Sequence, residues 1–242
     1  MEWGSFGPVH LISMAVAAGR LIGLYYLLRC LPQKWQVGIL GVLSFSGIAA
    51  IVYNLLAWNS PLEYLPLHLC SLNAMVLPFA VFTRKKVLCN LLLVWSLGAV
   101  MALVINTNVA GAQVMDTVFC FYYFPHVLEF GIPWLLIKLG LAEKTPRCIL
   151  PTLGITFGSY SVIHLINTAI NAAQFKNAAG ETLVVNYMYS VMPQDPMTGF
   201  FFNLIPHAYF YMLLVIPIVA VYLLAIYSPE LIRSLKKSKV SA

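Results

Sequence analysis

Residues 84–106 read RKKVLCNLLLVWSLGAVMALVIN. Three bases lead into a run of roughly twenty uncharged, mostly apolar residues, the length a helix needs to cross the hydrocarbon core of a bilayer. Backbone in lipid must satisfy its own hydrogen bonds, so a run of this length reads as a membrane helix. The bases place its leading end on the cytoplasmic side. The same pattern extends in both directions. Apolar runs bounded by charge or turn residues lie at about 6–28, 37–57, 64–82, 87–106, 117–138, 149–172 and 201–227. They predict an all-α polytopic membrane protein, one bundle of about seven transmembrane helices.

The linkers alternate in charge. Arg29 and Lys34 follow the first span, Arg84, Lys85 and Lys86 the third; Lys138, Lys144 and Arg147 surround the fifth linker, and Arg233, Lys236, Lys237 and Lys239 follow the last span. The other linkers carry Glu63, Asp116, Glu181 and Asp195, with Lys176 as their only base. Bases mark the cytoplasmic side, so the N-terminus is expected outside and the C-terminus in the cytoplasm.

Composition excludes the competing classes. Of 242 residues, 61% are hydrophobic and 9% charged, with a mean hydropathy of +0.85. A soluble domain of this size would lack polar surface. The net charge of +6 sits in short loops and the tail, which is an orientation signature and not a nucleic-acid footprint. The first apolar stretch lacks a basic leading region and a small-residue cleavage site, and reads as a first span. Five cysteines without a CxxC pair suggest neither a disulfide scaffold nor a zinc ribbon. One domain, residues 1–242, is expected.

Ionisable side chains inside such a chain are functional candidates by default. His10, His68, His126, His164 and His207 each lie in a different span, at similar depth in the outward half, and suggest a polar chamber. In the third span, His68 and Cys70 point to nearly opposite sides, whereas Cys70 and Asn73 share a face. In the fifth, Tyr122, Tyr123, His126 and Glu129 form one face. His126 lies roughly nine residues below the outer boundary and Cys70 roughly seven, so a contact between them is allowed at 1.5 Å per residue.

The sixth span carries Tyr160, Ser161, His164, Asn167 and Asn171, and the seventh carries Asn203, His207 and Tyr211 just after Pro206. Arg20, near mid-membrane, is expected to form a structural ion pair with Glu129, the carboxylate at comparable depth. The long linker 173–200, with Asn186 and Tyr187, is either a cap over the chamber or a loose connector. No two histidines share helical spacing and no HExxH occurs, so neither a metal nor a cofactor is expected.

A cysteine beside a histidine in a membrane chamber supports one chemistry in particular. The imidazole takes the thiol proton, the thiolate attacks an ester carbonyl, and an acyl-thioester forms. A thiol in apolar surroundings is otherwise an inert small hydrophobe. Passing the acyl group to water makes a hydrolase, and passing it to a lipid hydroxyl makes a transferase. Asn73, Asn167, a tyrosine or another histidine would stabilise the oxyanion. Phospholipid esters lie near the membrane interface, where the histidine belt begins.

LPLHLCSLNAM at 65–75, HLIS at 10–13, FYYFPH at 121–126 and NYMYS at 186–190 resemble the YwaF-type family of bacterial integral membrane proteins, in the same order and at similar spacing. More distantly, the Cys…His arrangement resembles the eukaryotic transmembrane protein 164 type acyltransferases. Those move polyunsaturated acyl chains onto ether lysophospholipids, and are related to the androgen-induced membrane hydrolases. The resemblance implies a six- or seven-span bundle in the bacterial cytoplasmic membrane. Cys70 matches the nucleophile position and His126 the catalytic histidine; Arg20, Glu129, Asn186 and Tyr187 match no role. The expected activity is a lipid acyltransferase or lipid-ester hydrolase acting on phospholipid or lysophospholipid, with His10, His68, Asn73, Tyr122, Glu129, His164, Asn167, Asn186, Tyr187 and His207 lining the chamber. The alternative is a transporter or small-ligand-binding protein using the histidine belt. The sequence offers no inverted repeat or paired broken helices in its favour.

Overall fold

The computed structural model describes residues 1–58, 60–106, 109–177 and 180–240, with side chains through residue 233. The basic residues Lys236, Lys237 and Lys239 therefore lie outside the described side chains. The described chain is helical: α1 Pro8–Arg29, α2 Gln33–Ser44, α3 Ser46–Ala57, α4 Leu69–Thr83, α5 Lys86–Val104, α6 Thr117–Lys138, α7 Ile149–Ala172, α8 Pro196–Leu204 and α9 Val215–Val240. Pairing outside helices amounts to isolated bridges, Glu2 with Gln113 and Lys176 with Thr182.

Local chemistry sets several boundaries. Pro8 opens α1, where its missing N–H costs nothing. Asp116 caps α6 by accepting from the Phe119 amide at 2.6 Å, and Asp195 with Thr198 forms a reciprocal capping box at α8.

Among the described residues, six helical stretches are long and apolar enough to cross a membrane: Pro8–Arg29, Gln33–Ala57 (α2 and α3 together), Lys86–Val104, Thr117–Lys138, Pro146–Ala172 and Tyr211–Arg233. Two expected spans are altered by proline. Over 64–82 the helix begins only at Leu69, because Pro66 holds its neighbourhood extended. The resulting α4 has 15 residues, about 22 Å of helix. Over 201–227 the helix stops at Leu204, with Ile205 extended before Pro206, and resumes through a 3-10 turn at Tyr211–Leu214.

The chain forms two compact units, Met1–Glu143 and Lys144–Ala242. In the first, α6 packs against each of the other helices and α4 against α2, α3 and α5. The central position of α5 and α6 is visible in their burial: 56% and 50% of their apolar windows are enclosed, against 11% for α1. Leu11, Ile12, Ile22 and Leu27 on α1 are exposed apolar residues, as a lipid-facing helix requires. Small residues permit close helix approach. A Cβ on Gly131 would clash with a Leu21 methyl, so α1 crosses α6 there.

The N-terminal residues are strapped across the 109–116 turn. The Trp3 amide donates to Ala112 O at 2.9 Å and the Gly4 amide to Ala110 O at 2.8 Å. The fully buried Trp3 side chain meets Phe119, Tyr122, Tyr123 and His10 edge-on, and its indole N–H donates to Ser13 Oγ at 2.8 Å.

In the second unit, α7 holds the 173–200 segment. Asn171 reads both backbone groups of Val185, donating to its O at 2.9 Å and accepting from its N at 2.8 Å. One turn earlier Asn167 does the same for Tyr187, donating to O at 2.8 Å and accepting from N at 3.0 Å. The linker expected to be either a cap or a loose connector is thus held to α7 as a strap at Val185 and Tyr187. Lys144 anchors α9 by donating to Ile226 O at 2.5 Å and pairing with Glu230 at 3.1 Å.

Candidate functional site

Within the first unit, polar atoms that lack hydrogen-bond partners gather where α3, α4 and α6 meet. Cys70 is the second residue of α4 and half-buried. One turn along the same face, Asn73 is fully buried, and neither its amide nitrogen nor its oxygen has a hydrogen-bond partner. On α6, Glu129 is 3% exposed and its Oε2 is equally unpartnered. Its other oxygen faces α3: a Cβ on Gly47 would lie 2.9 Å from Oε1 and 2.5 Å from Ala74 Cβ. Ser46, next to Gly47, has a buried and unpartnered hydroxyl. Glu129 also lies within electrostatic reach of the Cys70 thiol.

Buried polar groups in folded proteins nearly always have partners, and orphans concentrate at working sites or around bound polar groups. Here an amide one turn along the helix from a thiol and a carboxylate within its electrostatic reach are both orphaned. Pro78 and Pro133 lie inside α4 and α6, and each removes the bond to the carbonyl four residues earlier, that of Ala74 and of Glu129.

His126 stands one turn from Glu129 on α6. Its Nδ1 lies 2.6 Å from the Tyr122 carbonyl, and its ring sits over the Tyr122 ring, centroids 4.4 Å apart. A carbonyl only accepts, so Nδ1 carries the proton and the neutral ring leaves its lone pair on Nε2. Tyr122 is itself held by donating to Ala102 O at 2.8 Å. No hydrogen bond joins His126 to Cys70.

The remaining histidines separate. His10 is fully engaged: Nδ1 accepts from the Phe6 amide at 2.9 Å, so Nε2 donates to Leu103 O at 2.8 Å. That is a structural clasp. His68 is the extended residue before α4 and has interactions of its own. In the second unit, His164 Nδ1 lies 3.1 Å from Ser190 Oγ, which also accepts from Asn167 at 2.8 Å. His207 is exposed in the Pro206 break, where helical phasing with Asn203 and Tyr211 no longer holds. Asn186 turns inward on its own loop, donating to Met192 O at 2.7 Å and accepting from Val191 N at 2.9 Å.

The Arg20–Glu129 pair is corrected. No ion pair joins them; Arg20 is exposed, its guanidinium 5.4 Å from the Phe124 ring centroid. The depth argument placed both at one level without seeing that Arg20 lies exposed against Phe124 while Glu129 faces α3 and α4. Ser46 and Gly47 escaped the sequence reading altogether. Their only signal was a small Ser-Gly pair inside an otherwise bulky apolar run. Among the described residues, no three of His, Cys, Asp and Glu cluster as a metal site would require.

Fold and composition define a multi-pass all-α membrane protein with a buried polar centre on three of its helices. The chain belongs to the TMEM164 family, whose family model matches residues 5–227. No curated protein and no solved structure matches it.

Proposed function

We propose that the protein is a membrane-embedded lipid acyltransferase or lipid-ester hydrolase that works through an acyl-Cys70 intermediate. The supporting observation is the juxtaposition of Cys70 with orphaned Asn73 and Glu129, next to a histidine whose Nε2 lone pair is left available. His126 Nε2 takes the thiol proton, and the thiolate attacks the ester carbonyl of a phospholipid. The Asn73 amide N–H, already stripped of competing partners, donates to the oxyanion. The ester C–O bond breaks, and His126 returns the proton to the departing lysolipid oxygen. A base and nucleophile that are not yet hydrogen-bonded commonly close up only when substrate arrives.

Membership of the TMEM164 family agrees with this reading, since the transmembrane protein 164 type acyltransferases carry the same Cys…His pair. We place the chain, as a YwaF-type protein, in the bacterial cytoplasmic membrane. The N-terminus is then outside, the C-terminus cytoplasmic, and α4 is a short seventh span enclosed by its neighbours. Cys70 lies at the outer end of α4 in that orientation, near the depth of phospholipid esters.

Intact-protein mass spectrometry after incubation with diacyl phosphatidylcholine vesicles tests the proposal. Wild type gains the mass of one acyl chain, which maps to Cys70 and is removed by neutral hydroxylamine; Cys70→Ala gains none. Lipid turnover by purified Cys70→Ala at the wild-type rate would refute it.

A further inference from the structure

Glu129 has no place in the acylation step, yet its surroundings are unusual. It is nine-tenths buried, its Oε2 has no partner, and no lysine or arginine pairs with it. It faces the meeting point of α3 and α4, with Oε1 pressed toward Gly47 beside Ala74, one turn below Cys70.

A carboxylate gains little from such a position unless a hydrogen-bond donor comes to it. The donor needed in the second half of an acyl transfer is the hydroxyl of the acyl acceptor. Resting on the proposed acyl-Cys70 reading, we propose that Glu129 is the general base that accepts the proton of the acceptor hydroxyl and then returns it to the Cys70 sulfur.

The proton count closes without any further reagent. The step uses Glu129 in its ionised form; in the acylated protein Cys70 carries a neutral thioester, so no second negative charge stands beside that carboxylate and opposes its ionisation. The acceptor, a lysophospholipid hydroxyl or water, gives its proton to Oε2 while its oxygen attacks the thioester carbonyl. The C–S bond breaks and the electron pair goes to sulfur. At that moment Glu129 is the neutral acid, so the thiolate departs beside a proton donor and not beside another anion, an arrangement favoured at short range in a poor dielectric. Transfer of that proton to Cys70 regenerates thiol and carboxylate. His126 serves acylation, and Glu129 serves deacylation.

The two halves separate in time-resolved intact mass measurement. Detergent-solubilised wild type, Glu129→Gln and Glu129→Asp are loaded from diacyl phosphatidylcholine and then chased with lysophosphatidylcholine. Glu129→Gln is expected to form the Cys70 adduct at close to the wild-type rate and to lose it about 100-fold more slowly, within the usual range for removing a general base. Glu129→Asp regains part of the decay rate. Neutral hydroxylamine, which attacks thioesters without a base, clears both variants' adducts as fast as the wild type's, which separates lost base catalysis from a distorted or misfolded site. Adduct decay in Glu129→Gln at the wild-type rate, or failure of that variant to acylate at all, overturns the assignment while the acyl-cysteine reading stands. Absence of any adduct in wild type removes both.

Discussion

Gly47→Ala is the most demanding test of how the polar centre is built. The added methyl carbon would sit 2.5 Å from Ala74 Cβ and 2.9 Å from Glu129 Oε1. Carbon atoms prefer about 3.5–4.0 Å, so α3 and α4 must part by roughly 1 Å. Neither contact is the tip of a flexible chain that can swing away: one is a Cβ fixed to helical backbone, the other a carboxylate confined by burial. Overpacking of this kind costs about 1–3 kcal/mol, and replacing a helical glycine with alanine returns about 1 kcal/mol. The net expectation is destabilisation by up to about 2 kcal/mol, a loss of up to roughly 8 °C in thermal unfolding in detergent at the usual scaling. Gly19→Ala, where nothing lies within 4 Å, is the control and is not destabilised. The decisive measurement is the double variant Gly47→Ala with Ala74→Gly, which removes the opposing methyl and recovers most of the loss through direct coupling. Additive effects in that cycle would show that α3 does not approach α4 at Gly47.

Three further variants probe the roles assigned to particular hydrogen bonds. Tyr122→Phe keeps the backbone carbonyl that fixes the His126 tautomer and removes the bond to Ala102 O; it retains lipid turnover and loses about 1 kcal/mol of stability, whereas a catalytic role for the phenol would abolish turnover. His10→Ala orphans the Phe6 amide and the Leu103 carbonyl, costing about 2–4 kcal/mol in a melt while the folded fraction keeps its activity per molecule; loss of activity out of proportion would return His10 to the site. Asn167→Leu unpairs both backbone groups of Tyr187, so cleavage within 173–200 by a soluble protease rises at least several-fold, and an unchanged digestion pattern would mean that the strap is held elsewhere.

The helical character and the membrane-compatible lengths were legible because they depend on composition over windows of roughly twenty residues, a signal that survives local error. The two departures arose where one residue overrode the window. Pro66 and Pro206 leave hydropathy almost untouched, yet each prevents the preceding residue from being helical. A hydropathy run therefore shows which segments tolerate lipid, and proline shows where helix geometry begins. The strap over α7 was half legible: Asn167 and Asn171 stood out as a polar stripe, but a stripe does not say whether it faces a ligand or another segment. The asparagine side chain presents a donor and an acceptor side by side, the same pair that an extended backbone presents, and at both positions backbone is what it found.

The same distinction decides the candidate site. Sequence spacing placed Cys70 with Asn73 and His126 with Glu129, and each pair does share a helix face. Depth alone then suggested that five histidines are equivalent. Hydrogen-bond partners show they are not, because partner chemistry dictates what a ring nitrogen still has to offer. His10 has a donor on one nitrogen and an acceptor on the other, so nothing remains for a substrate. His126 spends only its N–H, on a carbonyl, and keeps a lone pair. By the same accounting Asn73 and Glu129 have spent nothing, or only half of what they can offer, in a place where burial makes unspent capacity costly. Arg20 failed as a partner for Glu129 for a related reason: its exposed guanidinium lies over the Phe124 ring, and a long cationic side chain that keeps its head exposed is not driven inward to neutralise a carboxylate. A buried carboxylate left without that counter-charge needs another source of hydrogen-bond donors, and an incoming hydroxyl is the one that acyl transfer supplies.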